Sequence, residues 1–232
     1  MQDSIAAICA TPEELAALKG EFPPERIEHH VALDIYHYGN LSYALAGIGK
    51  VNATIAATIL GLRNPKAIIF SGVSGGVGPD LDVGSIVLGS SFVQVDFGLQ
   101  DRGQFKPTSP GTCPIEYEPL IVPMVSDEVQ TNLLLLQSRI DNSHVGRILT
   151  ADYFLNDPVL RDQLYLEYSA LAFDMESAAV ATTGDAFGIP VYVIRTLSDR
   201  AGEEGLTTYS QLASTTAEQS ARAVKELLQI LG

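Results

Sequence analysis

Tryptophan is missing from this 232-residue chain, and cysteine, methionine and histidine are scarce, with two, three and four residues. The two cysteines, Cys9 and Cys113, share no C-x-x-C spacing, which excludes a disulfide framework and a cysteine zinc site and fits a reducing cytoplasm. The histidines form no H-x-x-x-H or H-E pair, so no metal is expected, and no G-x-S-x-G marks a serine hydrolase. Positive charge is short as well: 14 Lys and Arg face 28 Asp and Glu, a formal net charge of -14. Such a surface repels phosphate backbones, which removes nucleic acid from the expected partners, while a small neutral or cationic ligand is not repelled. No apolar run approaches bilayer-spanning length, and no basic segment precedes an apolar one near Met1, so neither a membrane span nor a signal peptide is expected. A cytoplasmic location is the expectation from these absences.

What the chain does have is a globular composition, 46% hydrophobic and 18% charged, arranged as apolar runs alternating with helical segments. Ser4–Ala10 reads as a buried strand. Thr11 suits an N-cap, Pro12 the first helical position and Glu14 the capping-box glutamate, for a helix to about Gly20. After a polar loop at Phe22–Glu28, Asp34–Tyr38 and Leu41–Ala46 read as a hairpin across Gly39-Asn40. A helix from about Val51 to Leu62 follows, then a buried strand at Ala67–Phe70, a glycine-rich turn at Ser71–Gly78, and strands again over Val83–Val95. Asp96–Pro123, with Phe97, Phe105 and Tyr117 scattered through it, lacks periodicity, and a loop of that length usually serves function or an interface. Helices at Ser126–Ile140, Asp157–Tyr168, Ser177–Phe187 and Ser210–Leu231 alternate with strands at Gly146–Ala151, just before Asp174, and at Val191–Leu197. The alternation predicts a single α/β domain over residues 1–232, with a central mixed, largely parallel twisted sheet flanked by helices.

Chemistry concentrates where predicted strands end. Asp174-Met175-Glu176 stands at a strand-to-helix junction, where open α/β sheets bind ligands, although carboxylates there also serve simply to complement a helix dipole. Ser198-Asp199, after the Val191–Leu197 strand, is a second such carboxylate or a cap beside the loop Arg200–Gly205. Glu14 is the third, a cap on one reading and catalytic on the other. Phe154, just past another strand, offers its ring either to the core or to a planar ligand. The glycine turns at Gly47–Lys50 and Gly72–Gly76 allow close backbone approach. Neither is a dinucleotide fingerprint, and the first lacks the glycine and the Ser or Thr of a phosphate loop, having Ala44 and Val51 there. Together, Glu14, Glu176 and Asp199 with an aromatic and glycine turns suit departure of a leaving group from a sugar. One carboxyl protonates the leaving group, another activates water, and negative charge favours an oxocarbenium-like centre.

Six blocks fall in a recognisable order: ATPEEL at Ala10–Leu15, AGIGKVNA at Ala46–Ala53, SGVSGG at Ser71–Gly76, TADYFLND at Thr150–Asp157, FDMESAA at Phe173–Ala179 and RTLSD at Arg195–Asp199. The chain resembles the nucleoside phosphorylase and nucleosidase superfamily, and within it the 5'-methylthioadenosine/S-adenosylhomocysteine nucleosidases. The resemblance implies a nucleoside phosphorylase-like fold and a cofactor-free hydrolase that splits 5'-thio-substituted adenosines into adenine and the thioribose. It implies that Glu14 positions or activates water, that Met175 and Glu176 hold the ribose, and that Asp199, helped by Ser198, is the general acid at purine N7. Phe154 would stack on adenine, the Leu155 backbone would read its edge, Ile48 and Tyr209 would line the 5' pocket, and Ser74 and Gly75 would border the sugar. A homodimer is also implied, with part of Asp96–Pro114 reaching the neighbour's pocket. The phosphorylase counterpart of SGVSGG generally begins with an arginine where this chain has Phe70-Ser71, so water is the expected nucleophile. Thr11-Pro12 replaces the Met-Glu typical of these nucleosidases, and Asp174 stands where glutamate is more usual. These departures leave open a nucleosidase for another 5'-modified nucleoside of futalosine type, besides a purine nucleoside phosphorylase and a non-catalytic nucleoside-binding or storage protein.

Overall fold

The apolar runs of the sequence form the middle of a nine-stranded mixed sheet. A computed structural model of the chain describes residues 4–115, 124–202 and 205–232. The strands of the main sheet are β1 (Ile5–Cys9), β2 (Arg26–His29), β3 (Asp34–Tyr38), β4 (Leu41–Leu45), β5 (Ala67–Gly76), β6 (Ile86–Gln94), β9 (Ser143–Thr150), β10 (Ala172–Asp174) and β11 (Val191–Asp199). A separate hairpin holds β7 (Gly98–Asp101) and β8 (Gln104–Pro107). The helices are α1 (Pro12–Glu21), α2 (Lys50–Gly61), α3 (Asp127–Gln137), α4 (Pro158–Tyr168), α5 (Ser177–Phe187) and α6 (Gly205–Leu231).

Spatial order in the sheet is β10-β9-β6-β11-β5-β1-β4-β3-β2. The run from β11 through β5 and β1 to β4 is parallel, as is β6-β9-β10, while β6 meets β11 antiparallel. β1 and β11 are buried at every residue, as expected of strands covered on both faces. β10 also pairs with the end of β5, Ala172 against Gly76 and Phe173 against Gly75, so β5, β11, β6, β9 and β10 close into a ring. α1, α3 and α6 pack one apolar layer against the sheet, α2 and α5 pack the other, and α4 covers a third cluster around Leu149 and Phe173.

Several boundaries differ from the sequence reading. Ser71–Gly76 is strand, not turn: β5 keeps its ladder with β11 past Phe70, and glycine serves there for close approach rather than for a bend. Part of the loop at Phe22–Glu28 is the edge strand β2, whose polar, mostly exposed residues hide the alternation that marks a strand. The Asp96–Pro123 segment contains the β7–β8 hairpin, turned by Arg102 and Gly103 at positive φ. Tyr117, the end of that segment and part of the loop Arg200–Gly205 lie outside the described residues. α6 starts earlier than Ser210, at Gly205, and α3 ends at Gln137 rather than Ile140.

Candidate active site

The sheet aims its strand ends at one cavity, lined from β5, β10, β11, α1 and α6 and from the segments after β1, β4, β9 and β10. Glu14, Ile48, Ser74, Gly75, Phe154, Leu155, Met175, Glu176, Ser198, Asp199 and Tyr209 all border it, so every residue singled out from the sequence lies in one place. Thr11, Tyr153, Phe173 and Asp174 border it too.

For Glu14 the cap and the site are one arrangement. Thr11 Oγ1 accepts from the Glu14 N–H at 3.3 Å, and Glu14 Oε2 accepts from the N–H groups of Ala10 and Thr11 at 2.7 and 3.1 Å. The other oxygen, Oε1, reaches across the end of β1 to accept the Val73 N–H of β5 at 2.8 Å. A capping box therefore fixes a buried carboxylate at the pocket wall.

At the head of α5, Asp174 and Glu176 divide the work. Asp174 Oδ1 accepts from the N–H groups of Glu176 and Ser177, and Thr150 and Ser177 donate their hydroxyls to the same carboxylate. Its place at the helix's positive end is as the dipole predicts. Glu176 instead turns to the cavity, where Oε1 accepts the Gly49 N–H at 2.8 Å. Gly49 has φ +98, a conformation that L side chains rarely adopt, which is why glycine carries that N–H. Asp199 Oδ1 accepts the Ala201 N–H at 2.7 Å, and the Ser198 hydroxyl lies between Asp199 Oδ2 at 3.0 Å and the Ser74 carbonyl at 3.2 Å. Phe154 is 39% exposed and meets Tyr209 edge-on at 5.7 Å, so its ring is a pocket wall and not a core filler. Ser74 Oγ is buried and has no protein partner.

Arg195 is the residue that sequence reasoning missed. It is fully buried, stacks its guanidinium 3.8 Å from the Phe70 ring centroid, and donates from Nε to Asp174 at 2.9 Å and from Nη2 to Glu176 at 3.0 Å. Its Nη1 lies 3.9 Å from Glu14 Oε1 and has no hydrogen-bond partner. A lone charge inside the apolar run VYVIRTL was the available signal, since such a residue is buried only with partners. Burial raises the pKa of Glu14, with Arg195 and backbone N–H groups opposing, and that of Asp199, with Ala201 and Ser198 opposing. Glu176 is pushed up to about 7 by burial, against the pull of Arg195. For Arg195 burial works against the charge, and Asp174, Glu176 and Glu14 outweigh it, so its pKa rises. The other basic groups nearby are occupied. Lys50 Nζ sits on Asp96 and lies 3.4 Å from Asp152, and Arg200 turns to the Pro79 carbonyl and Asp82. Among the described residues, no group of His, Cys, Asp and Glu is arranged to hold a metal ion.

An acidic pocket at the strand ends of a mixed α/β sheet, lined by three buried carboxyls whose pKa values burial raises, defines an acid–base enzyme site. The chain belongs to the phosphorylase superfamily, whose family model matches residues 4–231, and within it to the 5'-methylthioadenosine/S-adenosylhomocysteine nucleosidases. The nucleosidase of that name from Mycobacterium bovis is 33% identical over 100% of this chain and 99% of its own length. Its counterpart from Hydrogenovibrio crunogenus is 34% identical over 97% of each chain. The crystal structure of a mutant of the Helicobacter pylori enzyme, with 5'-methylthioadenosine in its active site, superposes with a TM-score of 0.86 at 23% identity, covering 99% of this chain and 100% of the other, which shows the shared fold.

Proposed function

We propose that the protein hydrolyses the N-glycosidic bond of 5'-methylthioadenosine and S-adenosylhomocysteine, releasing adenine and the thioribose. The observation that carries this reading is the convergence of Glu14, Glu176 and Asp199 on one cavity with an aromatic wall. Asp199, whose pKa is raised by burial, holds a proton for purine N7 and makes adenine a better leaving group. Glu176, with Met175 beside it, takes the ribose hydroxyls and favours positive charge on the sugar. Glu14, fixed by three N–H groups, accepts the proton of the attacking water, which the free Arg195 Nη1 helps to hold. Phe154 stacks on adenine, the Leu155 backbone reads its edge, Ser74 and Gly75 border the sugar, and Ile48 and Tyr209 face the 5' group.

Water is favoured over phosphate because each cation near the pocket is already paired with carboxylates: Arg195 with Asp174 and Glu176, Lys50 with Asp96 and Asp152. A phosphate dianion placed beside Glu14 would meet acids. The full-length relatives at 33% and 34% identity favour a 5'-thio substrate over a futalosine-type one. We further read the chain as a cytoplasmic homodimer. Val51 and Ile55 of α2 and Leu62 just past its end are exposed apolar residues that a second copy would cover, and Ile48, just before α2, borders the pocket. The test of the function is adenine release from 5'-methylthioadenosine with and without phosphate. Free methylthioribose with no phosphate requirement is expected. Methylthioribose 1-phosphate, formed only when phosphate is present, would make the protein a phosphorylase and refute the assignment.

A further inference from the structure

One peptide unit of β5 carries hydrogen bonds at both of its ends. Its N–H, on Val73, donates to Glu14 Oε1 at 2.8 Å. Its carbonyl, on Gly72, points the opposite way, as a trans peptide requires, and accepts from Ser220 Oγ of α6 at 2.6 Å. Ser220 Oγ lies 2.8 Å from Thr196 Oγ1 of β11. A hydroxyl has one proton to give. With the Ser220 proton on Gly72, Thr196 must donate to Ser220. The hydroxyls therefore point one way: Thr196 to Ser220, Ser220 to the Gly72 carbonyl, and through that peptide the Val73 N–H to the Glu14 carboxylate.

Ser220 and Thr196 are both fully buried, and the α6 face around Ser220 is filled by Ala213, Ala217, Ala221 and Val224. A hydroxyl at such a position costs stability unless it is bonded, and alanine would fill the space. The bond it donates leads through the Gly72–Val73 peptide to Glu14, and the bond it accepts comes from Thr196. Aligned hydrogen bonds in a low-dielectric interior polarise one another, so a donor on the carbonyl makes the N–H of the same peptide a stronger donor.

We propose that Ser220, backed by Thr196, is a positioning residue for Glu14, fixing and polarising the Gly72–Val73 peptide so that its N–H holds the carboxylate in place for water activation. The inference rests on the reading of Glu14 given above. The charged and titratable groups that face Glu14 are Arg195 from β11, Cys9 from β1, Glu176 at the head of α5 and Tyr209 from α6. None of them belongs to the hydroxyl chain, so all remain when Ser220 is changed.

The test is the pH profile of kcat/KM on 5'-methylthioadenosine, with melting temperature measured in parallel, for Ser220→Ala, Thr196→Val and Thr196→Ser. Losing the polarising donor weakens the Val73 bond to the carboxylate, so the acid limb set by Glu14 moves to higher pH. A shift of roughly 0.3 to 0.5 pH unit is expected for Ser220→Ala, with kcat down about 3- to 10-fold and KM little changed. Thr196→Val keeps the shape without the hydroxyl and shifts the limb the same way by less. Thr196→Ser, with the hydroxyl restored, brings the limb back. Variants that only melt earlier, with the limb unmoved, would reduce the chain to a packing feature and overturn the proposal. Near wild-type turnover in Glu14→Gln would instead overturn the underlying role of Glu14, and the two failures are separately visible.

Discussion

Gly72→Ala should cripple turnover although it replaces no residue with a proposed role in the reaction. Gly72 lies in β5 opposite Arg195 of β11, and a Cβ built there falls well inside 3.0 Å of both Glu14 Oε1 and Arg195 Nη1, closer than real Cβ atoms come. To restore even 3.0 Å, Glu14 Oε1 must retreat by about 0.8 Å in an interior packed too closely to absorb it. That carboxylate is held by the N–H groups of Ala10, Thr11 and Val73. A retreat of that size along the 2.8 Å bond to Val73 would stretch it past hydrogen-bond length. Overpacking costs roughly 1–3 kcal/mol, and a buried carboxylate left short of a donor costs about as much again. In the water-activating role proposed for Glu14, a misplacement close to 1 Å loses about 100-fold in rate. Adenine release followed by absorbance, with kcat and KM separated, would read the loss, and circular dichroism with a melting curve would show that the variant is folded. A folded Gly72→Ala variant within about threefold of wild-type kcat/KM would refute the claim that the space around Glu14 is fixed.

Asp199→Asn and Glu14→Gln should each lower kcat by about 10²- to 10⁴-fold while adenine binding, followed by calorimetry, stays within tenfold; near wild-type turnover in either would remove its assigned role. Glu176 gives a pH-dependent stability. Its pKa is raised from 4.5 to about 7 in the folded chain, so the folded state keeps a proton that the unfolded chain releases, and the stability it contributes is full below pH 4.5 and lost as pH rises through 7. The melting temperature of Glu176→Gln relative to wild type should therefore rise between about pH 5 and about pH 8, and a difference independent of pH would contradict the shift. Arg195→Met leaves Asp174, Glu176 and Glu14 without their shared cation, and should cost roughly 3–5 kcal/mol in urea denaturation; a loss under about 1 kcal/mol would mean that the acids are neutral when the arginine is present.

Local chemistry explains which parts of the fold were legible. Thr11-Pro12-x-Glu14 carries its own helix start, Asp157-Pro158 does the same for α4, and Gly188 at φ +65 ends α5 where glycine is the cheapest residue. The α5 limits, Ser177–Phe187, could be read directly from such signals. β5 could not, because SGVSGG has turn composition and its extended conformation is imposed by β11 on one side and by β10 closing onto Gly75 and Gly76. A pairing that depends on a ring of five strands leaves no mark in a window of six residues. β2 failed for the opposite reason: an edge strand, largely in solvent, has no apolar alternation to display.

The site was legible as a set of residues but not as an electrostatic system. Each carboxylate could be placed at a strand end one at a time, and each had an ordinary capping role to compete with the catalytic one proposed for it. For Glu14 the two readings share one arrangement, since the bonds that make it a cap also aim its other oxygen at the Val73 N–H of β5. What no single stretch reveals is the cation between them. Arg195 comes from the middle of a buried strand, Asp174 and Glu176 from the head of α5, and Glu14 from α1, and only the folded sheet brings them within reach. The arrangement has a chemical consequence. Arg195 is committed to Asp174 and Glu176, while Asp199 stands apart from that cation and burial raises its pKa. One fixed guanidinium thus contacts three acids, Asp174, Glu176 and Glu14, and leaves Asp199 outside its reach, which matches the separate roles proposed for them. In the proposed reaction, which develops positive charge on a ribose and negative charge on a departing purine, such a separation puts carboxylates beside the sugar and keeps the cation away from the group proposed to protonate the purine.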